Sequence, residues 1–240
     1  MTREELISVF DDTKNLVDGY QYSPYLDSHK LSLKRISDSD IPFSFSSAKV
    51  SVVNEDCIEV ARKLSEKGKT CILNMASYKK PGGGVKNGAM AQEEELARRS
   101  NLMWGLPQEH YPLDINEFIY TEKVSFFKDA QYHIIPEFHC DVITIAAINL
   151  NALDAPKNYE QIMYQKIQNM LHVPYKYGCE NLVLSAFGCG VFKNDPGFVS
   201  GIFKELIEDH SSSYNNICFA ILNDRNSVGS NFEIFKTNLI

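Results

Sequence analysis

Between residues 3 and 18, apolar side chains recur at steps of three and four: Leu6, Ile7, Phe10, Leu16 and Val17, with Thr13 on the same stripe. That spacing predicts an amphipathic helix. Residues 18–47 lose the period and fill with Ser, Asp, Tyr and Pro, so they read as a long irregular connection packed on the body of the protein. At Lys49-Val50-Ser51-Val52-Val53 the pattern changes to that of a strand. Asn54-Glu55-Asp56 then reads as a turn or helix cap, Cys57–Glu66 as a helix closed by Gly68, and Thr70–Met75 as a second strand. Residues 107–140 yield only short strand candidates at 117–121 and 124–127, set among prolines and aromatics. The near-continuous apolar run Val142–Ala147 predicts a strand buried on both faces. A helix over 159–172 follows, with Ile162, Met163, Ile167, Met170 and Leu171 inward. A strand over 182–186, a helix over 196–209 and a strand over 217–222 complete the pattern. Strands alternating with helices imply an α/β protein with helices on both faces of a sheet.

Two of the predicted strands run into glycine loops, Gly82-Gly83-Gly84 after Cys71–Met75 and Gly188-Cys189-Gly190 after Leu182–Ala186. Ligands of open α/β sheets sit beyond the carboxyl ends of the strands. Both loops would then face one crevice and could grip a diphosphate through backbone N–H groups. Each taken alone also reads as a tight turn. Neither fits GxxxxGK[ST] or GxGxxG, which disfavours a P-loop hydrolase and a Rossmann cofactor site. Seven residues past the first loop stand Gln92-Glu93-Glu94-Glu95, at the start of a segment with helical spacing. Acids in a first helical turn complement the macrodipole by ~0.3–1 kcal/mol each, and composition alone favours that explanation. The glycines upstream shift the balance towards chemistry. Cleaving a glycosidic bond takes an acid for the leaving oxygen and a base for water. A carboxyl crowded by other carboxylates and a diphosphate should have a raised pKa, which suits the acid.

Composition narrows the class. The chain has 240 residues and 44% hydrophobic content, ordinary for a globular protein with a sizeable core. A net charge of −7 argues against a broad duplex-binding face, though not against a local anion pocket. The N-terminus lacks the apolar core of a secretory signal, and no apolar run approaches the ~18 residues of a membrane span. The expectation is a soluble cytoplasmic protein without membrane partners. Cys57, Cys71, Cys140, Cys179, Cys189 and Cys218 form no CxxC pair and read as free thiols. His133 and His139-Cys140 lack evident partner ligands, so no metal site is expected. Cys189 has no histidine placed beside it by sequence, and reads as a small buried residue rather than a nucleophile.

The GGG…QEE unit resembles the motif of the poly(ADP-ribose) glycohydrolases. Val53-Asn54-Glu55-Asp56, Leu73-Asn74-Met75-Ala76-Ser77, Glu95–Ser100, Asp141-Val142-Ile143-Thr144 and Phe187–Pro196 are similar to the compact microbial branch, in the same order and over nearly the whole chain. The resemblance implies a macrodomain-like three-layer α/β/α sandwich with a mixed central sheet. Residues 1–47 would be an N-terminal helical extension and 48–240 the catalytic domain. It implies hydrolysis of the ribose–ribose bond with release of ADP-ribose, with no cofactor and no metal. Glu94 would be the acid and base, and Glu93 would hold the ribose hydroxyls, with Gln92 supporting the loop. Gly82, Gly83 and Gly84 would lie along the diphosphate and the ribose to be cleaved. Gly188, Cys189, Gly190 and Val191 would form the second diphosphate loop, and Phe192 would pack on the ribose. Asn74 would order the first loop or contact the ribose, and Asp56 would read the adenine, although a helix cap explains Asp56 equally well. The partners implied are ADP-ribose, poly(ADP-ribose) or ADP-ribosylated macromolecules, met by a monomer. Two departures stand out: Ser77 where relatives carry asparagine, and Ile148 where they carry proline. Two other readings stay open. One is a hydrolase of single ADP-ribose units on protein or nucleic acid, and the other is a reader that binds without cleaving.

Overall fold

A computed structural model describes residues 1–37, 48–151, 155–210, 213–223 and 231–240. Residues 38–47, the last part of the expected irregular connection, lie outside the described residues. The chain divides into two units, one of residues 1–31 and 74–146, the other of residues 32–73 and 147–240.

The first unit opens with helix α1 (Arg3–Asp18), started by a reciprocal capping box between Thr2 and Glu5. Its buried face is Leu6, Phe10, Thr13 and Val17, the stripe its spacing predicts. Phe10 packs with Val85, Ala97 and Met103. Thr13 donates to the carbonyl of Arg98, and the Arg98 guanidinium donates back to the Leu6 carbonyl at 3.2 Å. These bonds tie α1 to the helix that carries the acids. Strand β1 (Ser28–Ser32) falls inside the stretch expected to be irregular. Its side chains are half-buried or exposed, so no hydrophobic alternation marked it. The short candidates at 117–121 and 124–127 turn out to be one twelve-residue strand, β4 (Glu117–Lys128), paired antiparallel with a second of the same length, β5 (Ile134–Ile145). A shift of register between Thr121 and Val124 splits the apolar pattern of β4, which is why the sequence shows two fragments. Asp141 fills the irregularity by accepting from the Tyr120 hydroxyl at 2.7 Å and from the Lys123 N–H at 3.0 Å.

In the second unit β2 (Lys49–Val53), β6 (Asn181–Leu184) and β7 (Asn216–Ala220) pair in parallel in the order β6-β7-β2, and Thr70–Ile72 of β3 (Thr70–Met75) pair with β6. Parallel strands need crossovers, supplied by α2 (Cys57–Ser65), α4 (Tyr159–Lys176) and α5 (Pro196–His210). All side chains of β6 and four of the five in β7 are buried, as their apolar runs require. The helix α6 (Asn231–Leu239) went unread because it buries little, chiefly Asn231 and Phe235. With antiparallel strands in one unit and parallel strands in the other, the fold is a mixed α/β one. No helix among the described residues is long and apolar enough to cross a membrane.

Candidate active site

The end of β3 and the start of α3 (Gln92–Arg99) are joined side chain to backbone within the first unit. Gln92 accepts from the Met75 N–H at 2.8 Å, Glu93 from the Ser77 N–H at 2.7 Å, and Glu94 from the Gly84 N–H at 2.8 Å. The helix has no side-chain cap, so its first-turn acids reach forward to the loop instead. Ser77 contributes its backbone N–H to Glu93, which makes the missing asparagine side chain immaterial to this contact. Asn74 is fully buried, donates to the Thr144 hydroxyl at 3.2 Å and bears on Glu93.

Gly83 shows why this loop is glycine. Its φ is +53°, and a Cβ there would lie 2.5 Å from Glu94 Oε1 and 2.8 Å from Glu93 Oε2. The loop is therefore shaped around two carboxylates. Its Gly84 N–H is spent on one of them, so close approach rather than amide donation is what Gly84 offers a ligand.

Glu93 and Glu94 are 3% and 6% exposed, and each keeps one buried oxygen, Oε1 and Oε2 respectively, with no protein hydrogen bond. Burial lifts the Glu93 carboxyl to about 8, the Ser77 N–H works against the shift, and the charge on Glu94 adds to it. The raised carboxyl expected from the sequence is thus Glu93. Glu95 has a role of its own. It is more than a helix-start charge, since it pairs with Arg98 at 2.9 Å and accepts from the Tyr132 hydroxyl at 2.9 Å. Arg98 is fully buried and also donates to the Ala89 carbonyl at 2.5 Å, so it fastens the far end of the loop beside α3. Sequence reading passed over Arg98 because a basic residue in a last turn reads as dipole compensation.

The second glycine loop lies in the other unit. Asn194 donates to the carbonyls of Gly188 at 3.0 Å and Ile148 at 2.9 Å, and accepts from the Tyr159 hydroxyl at 2.8 Å. Gly188 has φ +74°, and a Cβ there would meet Ala147 at 2.5 Å. Val191 is 71% exposed and Phe192 half-buried, its carbonyl accepting from the Leu150 N–H at 3.0 Å. Burial pushes the Cys189 thiol up to about 12, which leaves it a poor nucleophile. Asp56 caps α2, accepting from the N–H groups of Ile58 and Glu59, each at 3.0 Å. None of the six cysteines is in a disulfide, and all six are buried. His133 faces Asp129 at 3.4 Å and His139 lies 4.0 Å from Glu137. Among the described residues, the ligand atoms of Asp27, His29 and Glu122 lie within 4.8 Å of one another, on and beside β1 and β4.

An α/β protein with a buried carboxylate pair under a glycine loop is the class that fold and site define. Residues 21–129 match the model of the microbial-type PARG catalytic domain. Over those residues the chain is similar to that family, the microbial-type poly(ADP-ribose) glycohydrolases. A poly(ADP-ribose) glycohydrolase of Deinococcus radiodurans, in complex with ADP-ribose, is 28% identical over 88% of this chain and 94% of its own, with a TM-score of 0.76. The enzyme of Thermomonospora curvata covers 98% of this chain and 99% of its own with a TM-score of 0.84; at 21% identity that likeness bears on the fold alone. The same enzyme bound to the inhibitor ADP-HPD superposes with a TM-score of 0.79. Among curated proteins none matches the sequence.

Proposed function

We propose that the protein hydrolyses the ribose–ribose O-glycosidic bond of poly(ADP-ribose) and releases ADP-ribose, working as a monomer in the cytoplasm. The observation that carries this reading is the Glu93–Glu94 pair, buried beneath Gly83 with one unpartnered oxygen on each carboxyl. Glu94 gives its proton to the oxygen leaving the anomeric carbon. The resulting carboxylate then takes a proton from the water that attacks that carbon, which restores the acid. Glu93, fixed through Oε2 by Ser77, turns Oε1 towards the ribose hydroxyls. Gln92 and Asn74 hold the strand end and Glu93 in place. Gly188, Cys189, Gly190 and Val191 serve the diphosphate, Phe192 the ribose and Asp56 the adenine.

The proton that burial keeps on Glu93 at neutral pH favours a second reading, in which Glu93 is the acid and Glu94 the base. Comparing Glu93→Gln with Glu94→Gln separates the two. A variant defective only in leaving-group protonation recovers on a substrate with a more acidic leaving group, whereas one lacking the base does not. The reading as a whole is tested by incubating the protein with poly(ADP-ribose) and with a mono-ADP-ribosylated protein. Release of ADP-ribose from the polymer is the expected result. Release from the mono-modified protein alone would move the substrate, and binding without turnover would make the protein a reader.

A further inference from the structure

Asn74 Oδ1, Glu93 Oε1, Glu94 Oε2 and the Tyr111 hydroxyl are all buried in the first unit without a hydrogen-bond partner. Leaving a buried polar group unpaired costs about 1–3 kcal/mol, and native proteins seldom do so without a use for it. Three of these atoms belong to the acid pair and its support. Tyr111 has no part in the reading so far. Only 9% of it is exposed, and its phenol lies near enough to Glu93 for that carboxylate to act on it electrostatically. The backbone fixes it there. Tyr111 follows the helical turn Gln108–His110, and the Leu113 N–H donates to the Tyr78 carbonyl at 2.8 Å. Tyr78 adjoins Ser77, which holds Glu93. A phenylalanine would fill the same space without the penalty of a buried hydroxyl.

The chemistry of the unpartnered atoms indicates what satisfies them. Oxygens of carboxylates and of an amide accept hydrogen bonds, and a phenol O–H donates. A sugar hydroxyl does both, so one such group can donate to a carboxylate and accept from a phenol. We propose that Tyr111 is a specificity-determining residue of this site, its hydroxyl and Glu93 Oε1 sharing one ribose hydroxyl as their hydrogen-bond partner. This rests on the reading of the site given above. With Tyr111 the pocket demands a hydroxyl at that place on the sugar, because an analogue without one leaves both protein groups unpaired.

The test is calorimetry on wild-type protein and Tyr111→Phe, each with ADP-ribose and with ADP, which lacks the distal ribose. Expected is a loss of about tenfold in ADP-ribose affinity on substitution, with ADP affinity unchanged, the scale of one hydrogen bond to a buried group. Equal losses for both ligands, or no loss, overturn the proposal. Analogues lacking one or the other hydroxyl of the distal ribose give a readout on wild-type protein that does not depend on how the variant folds. One of them should bind about tenfold more weakly to wild type and lose nothing further on Tyr111→Phe. Additive losses overturn the proposal. Failure of wild-type protein to bind ADP-ribose at all would sink the underlying reading and this inference with it. Binding with no discrimination between the sugars would sink this inference alone.

Discussion

Around Gly83 the nearest side chains are Glu93 and Glu94, whereas around Gly188 they are Ala147 and the amide of Asn194. Both loops follow an apolar strand and both place glycines at positive φ, so in sequence they read as one kind of feature used twice. The structure separates them. The first loop closes on ionisable groups. Its Gly84 amide is bound by Glu94, and the acids remain with spare buried oxygens. The second closes on neutral amide bonds centred on Asn194, with the nearby thiol of Cys189 held protonated. Glycine in the first loop makes room for reactive groups, and in the second it makes room for a frame. The spare buried carboxyl oxygens belong to the first.

That contrast can be broken at several points. Glu94→Ala should lower turnover of poly(ADP-ribose) about a thousandfold while ADP-ribose affinity stays within about tenfold, as for a group acting mainly in the transition state. An active Glu94→Ala protein would end the contrast. Gly83→Ala should cost about a hundredfold or more in turnover, because its methyl displaces both carboxylates and its φ strains the loop. Steady-state kinetics with a melting curve would show whether the damage is chemical or general.

The Glu93 carboxyl supplies a pH signature. Its pKa in the folded protein, about 8, lies above the ordinary carboxylate value of 4.5. Folding therefore favours its protonated form. The stability this lends is fully present below the ordinary value and is lost as pH rises through about 8. Free of ligand, the protein should lose on the order of a few kcal/mol between pH 5 and 8 from this group, and Glu93→Gln should flatten that slope in denaturant titrations. A slope unchanged by the substitution would remove Glu93 as its source.

On the second loop the effects are structural and smaller. Asn194→Ala orphans the carbonyls of Gly188 and Ile148 and should cost about 2 kcal/mol of stability, read by urea unfolding. Gly190→Ala should leave the melting temperature unchanged within a degree or two, since a Cβ there meets nothing within 4 Å and φ is not positive. A large drop would mean that this loop is as tightly built as the first.

Legibility in the sequence followed burial and period. The helix α1, the strands of the second unit and both glycine loops showed because an apolar stripe, an apolar run or a glycine cluster marks each. β1 and α6 bury too little to leave a period, and the register shift in β4 broke a long strand into two fragments. In the site, GGG and QEE marked the loop and the acids. Ser77 went unmarked as the partner of Glu93 because it acts through its backbone, and Tyr111 went unmarked near it because a buried tyrosine reads as core.

Taken by itself, the sequence determined the alternating α/β pattern, the family likeness and the small set of residues among which the chemistry must lie, because local periodicity and motif spacing are properties of the linear chain. Only the tertiary structure decided which glutamate has its carboxyl raised, which amides are already spent and what Glu95 and Arg98 hold. Those outcomes depend on desolvation and on hydrogen bonds between residues far apart in the chain, as in Arg98 reaching Leu6, and no local pattern encodes them.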